Sequence, residues 1–262
     1  MFRRSSVPAK MCIRDRYKEE LHCNEIMLLP YYIASMNIEH AYLDRVGEYE
    51  PFEGICLVDT FELAEAEQTG FSFMAEENTK RVQRQRASPI KVIIGNPPYN
   101  ANQHYENEGN RNRRYKVLSG RVAATYGKDS KATNKNTLSD PYIGALRWAT
   151  DRLGNEGIIA LVTNNSFVDS IAADGVRKNL RKDFDKVFVV DLGGDVRRNP
   201  KLSGTVHNVF GIQVGVSISF FVRHQKTKRP GEVHLGRLDE HWKSREKFSW
   251  LQRTGTLSLI HI

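Results

Sequence analysis

Val92-Ile93-Ile94-Gly95-Asn96-Pro97-Pro98-Tyr99 decides how the rest of the chain is read, because an apolar run stops there at a polar, proline-stiffened turn. Val92, Ile93 and Ile94 are β-branched and predict a strand buried on both faces. Gly95 frees the backbone to turn. Two successive prolines fix φ and remove two N–H donors, so Asn96 to Tyr99 can neither extend a central strand nor enter a helix. The segment is rigid, and it presents an Asn amide, a backbone carbonyl and an aromatic ring at the carboxyl end of a strand. That is where open α/β sheets place their ligands. A stiff surface turn with a packing Tyr has the same composition.

These groups suit one task in particular, the activation of an exocyclic amine on a base. The lone pair of such an amine is delocalised into the ring. Acceptors on its two N–H bonds, here the Asn96 side-chain oxygen and the Pro97 carbonyl, push it towards a nucleophilic form. Tyr99 supplies a face for a base that has left the duplex. At these residues the sequence resembles the DNA adenine-N6 methyltransferases, whose fourth motif is Asn/Asp-Pro-Pro followed by an aromatic residue. It is similar above all to the methyltransferase part of the type ISP restriction-modification enzymes, which join nuclease, helicase and methyltransferase in one chain. The resemblance runs from about Asn24 to Val222. It implies an α/β, Rossmann-like fold dependent on S-adenosyl-L-methionine, with Asn96, Pro97, Pro98 and Tyr99 as the catalytic turn. The implied sheet is mostly parallel, has an antiparallel C-terminal hairpin, and lacks its first strand or has it incomplete.

Earlier in the chain two acids occupy comparable places. Asn24-Glu25-Ile26 leads into an apolar-rich helical stretch reaching about Tyr42, so Glu25 sits where a strand gives way to a helix. A carboxylate there either accepts from ribose hydroxyls or makes a favourable contact with the helix dipole. Gly54 to Phe61 is a short apolar strand ending in Asp59, which either meets a ligand or caps the segment after it. The resemblance makes Glu25 the acid that holds the cofactor's ribose, with Ile26 against its adenine. It sets Asp59 on the adenine amino group, flanked by Thr60 and Phe61, and adds Asn96 to the cofactor-binding residues.

From Glu62 to Arg86 the chain reads as a linker or a short solvated helix. Residues 103–138 carry eight Lys and Arg against three acids, with Tyr105, Tyr115 and Tyr126 interleaved. They read as a basic insertion, either a loop tracking phosphates and bases, with Arg111, Arg113, Arg114 and Lys116 as contacts, or a solvated excursion. Asp140 opens a helix closed at Gly154, Gly157 to Thr163 is the next buried strand, and a helix through Leu180 and a strand from Lys186 to Leu192 repeat the pattern. Alternation of this kind implies parallel pairing with right-handed crossovers. His207 to Val222 breaks it and predicts an antiparallel hairpin turning at Gly211 to Gly215. The resemblance places Phe210 on the flipped adenine; by composition alone it is a core Phe.

With 40% hydrophobic and 27% charged residues the chain has the balance of an ordinary globular domain, neither disordered nor membrane-spanning. A net charge of +8 favours a polyanion, and double-stranded DNA is the expected partner, with nuclease and helicase domains of the same parent. Three scattered cysteines and eight histidines without ligand spacing suggest neither a disulfide framework nor a metal, and fit a reduced bacterial or phage cytoplasm. Residues 1–16 and 255–262 look non-native. The catalytic domain is expected over 17–224, with 225–254 beginning a target-recognition region. Methylation of RNA or of a protein glutamine, and a DNA-binding module without catalysis, are the alternatives.

A sheet of this kind carries a Gly-rich turn roughly 20 residues ahead of its ribose acid, yet no glycine precedes Gly47. The segment that cradles the methionine part of the cofactor is therefore expected to lie outside this chain. Calorimetric titration of the isolated chain with S-adenosyl-L-methionine is expected to show weak binding or none. Tight binding would overturn that reading.

Overall fold

The computed structural model describes residues 7–65, 76–98, 115–199, 202, 204–224 and 229–254, which divide into two compact units meeting at Ser88–Pro89. Among the described residues no helix is long and apolar enough to cross a membrane.

The first unit is built on two short parallel strands, β1 (Cys23–Glu25) and β2 (Ile55–Leu57), with Glu25 opposite Leu57. Helix α1 (Val7–Asp15) precedes them, α2 (Leu28–Val46) joins them, and α3 (Glu76–Ala87) follows. Gly47 at φ +85° closes α2, its N–H donating to the Leu43 carbonyl at 2.7 Å. Tyr17, Tyr42, Val46, Phe52 and Ile55 form the core, and the Tyr17 and Tyr42 rings stack at 4.0 Å. Residues read as non-native contribute here: Ile13 packs on this cluster and Arg14 Nε donates to the Tyr42 hydroxyl at 3.3 Å. The expected helical stretch after Glu25 runs four residues past Tyr42. The segment before Arg86 is helical as α3, with Val82 packed on Cys56 and Val58.

The second unit carries a five-stranded sheet in the order β3-β4-β6-β5-β7. Strand β3 (Val92–Gly95) is followed by α4 (Lys116–Val122) and α5 (Pro141–Arg152). Then come β4 (Gly157–Asn164), α6 (Ser166–Asp169), α7 (Asp174–Asp183), β5 (Lys186–Gly193), β6 (Val216–Arg223), β7 (Glu232–Arg237) and α8 (Ser244–Arg253). β3 pairs with β4 and β5 with β7 in parallel, whereas β6 runs antiparallel between β4 and β5. The fold is α/β with a mixed sheet. Asp140 caps α5, its carboxylate accepting from the Tyr142 N–H, and Leu146, Ala149 and Leu153 join Ile159, Leu161 and Phe221 in the main core.

Four expectations change. β3 is an edge strand of this sheet, and Val92 and Ile94 are 59% and 80% exposed, so it is not buried on both faces. The hairpin expected within His207 to Val222 is replaced by a 3-10 turn (Thr205–His207), a loop and the single strand β6, which folds back antiparallel on the preceding strand β5 and also pairs antiparallel with β4. The second half of the basic insertion is core: Leu118, Val122 and Tyr126 are 5%, 7% and 0% exposed. Their i, i+4, i+8 spacing makes an apolar stripe that the intervening charges hide. The sheet also does not end at 224, because β7 extends it and α8 packs Trp250 into the cluster of Val190, Leu192 and Val216.

Candidate active site

In the first unit two acids stand past the carboxyl ends of paired strands. Glu25 ends β1 and turns its Oε1 back to accept from the N–H groups of Ile26 and Met27 at 2.8 and 3.0 Å. The carboxylate is thereby fixed ahead of the amino terminus of α2, where the helix dipole favours negative charge. Ile26 beside it is 42% exposed. One strand over, Asp59 is 8% exposed and its Oδ1 accepts from the Phe61 N–H at 2.9 Å. Its carbonyl accepts from Glu62 at 3.1 Å, so Asp59 opens the turn Glu62–Ala64 through Thr60 and Phe61. Asn78 of α3 braces this end, its amide donating to the Leu57 carbonyl at 3.1 Å and accepting from the Leu57 N–H at 2.9 Å.

In the second unit the polar groups gather at the carboxyl ends of β3, β4 and β5. Gly95 lies opposite Leu161, so Asn96, Pro97 and Pro98 leave the sheet at the same edge as Asn164 and Asn165. Asn96 is exposed. Because β6 is antiparallel, its first residue Val216 pairs with Asn164 and Gly193. The loop ahead of it, with Phe210, therefore emerges at that edge too. Phe210 is 49% exposed, which corrects the core alternative for this ring.

The edge is held by side chains the sequence does not single out. Asn165 Nδ2 donates to Asp191 Oδ1 at 2.8 Å, and the same oxygen accepts from the Gly193 N–H at 2.9 Å. A Cβ at Gly215 would lie within 2.6 Å of the Asn165 amide, so a side chain there would have to displace that amide from its place against Asp191. Asn208, 2% exposed, donates to the carbonyls of Gly194 and Val214 at 3.2 and 2.7 Å. Its Oδ1 accepts from Phe210 N–H at 2.9 Å. A polar cleft of about 100 Å³ opens here, lined by Asn165, Asp191, Arg198 and Arg237 among others. The pairing of an Asn with a strand-terminal Asp has no short-range sequence signal, since the two are 26 residues apart.

Of the basic contacts, Lys116 is exposed at the start of α4, while Arg111, Arg113, Arg114 and Tyr99 lie outside the described residues. Glu25 thus ends its strand, and Asp59 and Asn96 follow theirs at the carboxyl end, two of these residues in the first unit and one in the second.

The Eco57I restriction-modification methylase family matches residues 25–196. Among solved structures the chain is similar to the ATP-dependent Type ISP restriction-modification enzyme LlaBIII bound to DNA, at 37% identity and a TM-score of 0.87, over 94% of this chain and 17% of that one. It is similar to DrdV in complex with DNA, at 43% identity and 0.82, over 95% and 24%. It is also similar to a nuclease-deletion mutant of the Type ISP enzyme LlaGI in complex with a DNA substrate mimic, at 36% and 0.86, over 96% and 21%. The chain thus spans about a fifth of the length of these three chains. No curated protein matches it.

Proposed function

The chain belongs to the Eco57I restriction-modification methylase family, and from that premise we propose that it forms the catalytic part of a DNA methyltransferase acting on the exocyclic N6 of adenine. The observation that carries the reading is the position of Asn96-Pro97-Pro98. A stiff, exposed turn leaves β3 at the sheet edge where the loop of Phe210 also emerges. The carboxylates at the ends of β1 and β2 fit S-adenosyl-L-methionine as cofactor. Glu25 would accept from its ribose hydroxyls through the oxygen left after Ile26 and Met27 are served. Ile26 would lie against its adenine, and Asp59, Thr60 and Phe61 would line the far side of the base. When bound, the cofactor supplies an electrophilic sulfonium methyl group.

The remaining work falls to this chain. The target base leaves the duplex and stacks on Tyr99 and Phe210. The Asn96 oxygen and the Pro97 carbonyl accept the two N–H bonds of its amine, localising the lone pair for attack. Positioning and hydrogen bonding provide the rate enhancement, with no covalent enzyme intermediate. Lys116, with Arg111, Arg113 and Arg114, would neutralise phosphates, so binding weakens steeply with salt. Nuclease and helicase domains of a longer parent are the expected neighbours.

The test is a transfer assay with labelled methyl donor on duplex DNA, RNA and a glutamine-bearing protein, using the enzyme that carries this chain. Label recovered as N6-methyladenine in DNA is expected. Label on RNA or glutamine would replace the substrate, and salt-sensitive duplex binding without transfer would leave a DNA-binding module.

A further inference from the structure

One fully covered lysine of the second unit is a side chain that the proposed chemistry does not use. Lys247 of α8 is 0% exposed, although a buried ammonium is costly unless it is partnered. Its Nζ donates to the carbonyl oxygen of His207 at 2.6 Å. Asp191, Asp239 and Glu240 supply the surrounding negative charge, while burial pushes the ammonium below the usual lysine range.

His207 stands three residues before Phe210, in a loop that is also tied by Asn208 to the Gly194 carbonyl at 3.2 Å and by the His207 ring, whose Nδ1 lies 3.3 Å from the Trp242 carbonyl oxygen. Asn208 fixes the N–H of Phe210, and Val209 and Ile212 pack into the cluster that also holds Trp250 of α8. The residues around Phe210 are thus held inward while the ring itself stays half exposed. Lys247 and Trp250 approach that loop from the same helix. α8 is itself set by a capping interaction in which Glu246 accepts from the Lys243 N–H at 2.7 Å. The helix lies beyond the residues that match the family.

We propose that Lys247 is a positioning residue for the target base: its ammonium holds the His207 carbonyl and so fixes the loop that presents Phe210 to an extruded adenine. The inference rests on the stacking role given above to Phe210, and the experiment separates the two. In the enzyme carrying this chain, Lys247→Met keeps the apolar stem and removes the ammonium. The probes are methyl transfer and the fluorescence of duplex DNA with 2-aminopurine at the target adenine, which brightens when the base is extruded.

Lys247→Met is expected to lower kcat by roughly tenfold to a hundredfold, the scale of a misplaced positioning group. It should remove most of the 2-aminopurine enhancement and leave the KM for cofactor unchanged. Wild-type kcat and enhancement in the folded variant would overturn the inference, as would a lowered melting temperature with both signals intact. If Lys247→Met does not fold, Lys247→Gln, which keeps one donor, answers the same question, with a partial loss of both signals expected and wild-type signals overturning the inference. Phe210→Ala serves as the reference. If it keeps full enhancement, the stacking role fails; if it loses the enhancement and Lys247→Met does not, only the role of Lys247 fails.

Discussion

Asn96→Ala abolishes methyl transfer, lowering kcat by at least about a hundredfold, the cost of removing one preorganised hydrogen-bonding group at a reacting centre. The amine of an adenine is a poor nucleophile because its lone pair belongs to the ring, and in the proposed site Asn96 would provide one of two acceptors that draw the lone pair back to nitrogen. The Pro97 carbonyl remains in the variant, but one acceptor polarises only one N–H bond. Asn96 is exposed at the end of an edge strand, so its loss should change folding stability by no more than about 0.5 kcal/mol. Glu25 and Asp59 are untouched, so in the enzyme carrying this chain the Kd for S-adenosyl-L-methionine should change far less than kcat, by no more than the one contact Asn96 would make. Asn96→Asp keeps an acceptor at the same reach and should retain more activity than Asn96→Ala. Single-turnover transfer measured beside cofactor titration checks the statements on transfer and cofactor, and urea denaturation checks the one on stability. Transfer at the wild-type rate by Asn96→Ala would remove Asn96 from the chemistry.

Much of the site was legible because it lies where strands stop. Runs such as Ile55-Cys-Leu and Val92-Ile-Ile announce strands by their β-branched or apolar side chains, and the residue that ends each run is fixed at one edge of its sheet. Burial was less legible. The composition of Val92 and Ile94 predicts a covered strand, yet cover depends on what lies beyond the strand, and both side chains stand exposed. α4 failed to show for the opposite reason, since Leu118, Val122 and Tyr126 are diluted by Arg121, Gly120 and Lys116 around the helix. β7 is a polar edge strand with Val233 and Leu235 half exposed, and what ties it to the sheet includes the stacking of His234 on Phe188 at 4.7 Å. No local pattern encodes that stack. Lys247 was invisible for the same reason. A lysine on a polar helix reads as solvated, and only the fold brings the His207 carbonyl 40 residues away to its Nζ.

Arg147→Ala destabilises the second unit by about 3–5 kcal/mol, the range for breaking a buried ion pair from one side. Arg147 is 3% exposed on α5. Its Nη1 donates to Asp183 Oδ2 at 2.9 Å and its Nη2 to Asp151 Oδ1 at 2.6 Å, and the guanidinium lies 5.4 Å from the centre of the fully buried Tyr126 ring. Removing the side chain strips a partner from each carboxylate and opens a void against Tyr126. Arg121 still holds Asp151, through bonds of 2.9 and 2.8 Å, so the loss falls harder on Asp183. The pH dependence comes from Asp151. Burial raises its carboxyl pKa, but hydrogen bonds from Arg121 and Arg147 outweigh that and leave it below the ordinary value. A carboxyl lowered in the folded state adds stability that is fully present above its unfolded pKa, near 3.9. That contribution disappears as pH falls through the folded value. The part owed to Arg147 disappears with it, so the gap between wild type and Arg147→Ala in urea denaturation should narrow between pH 7 and pH 3. A gap that stays constant over that range would mean that Arg147 stabilises the unit by filling space against Tyr126 and not by its charge.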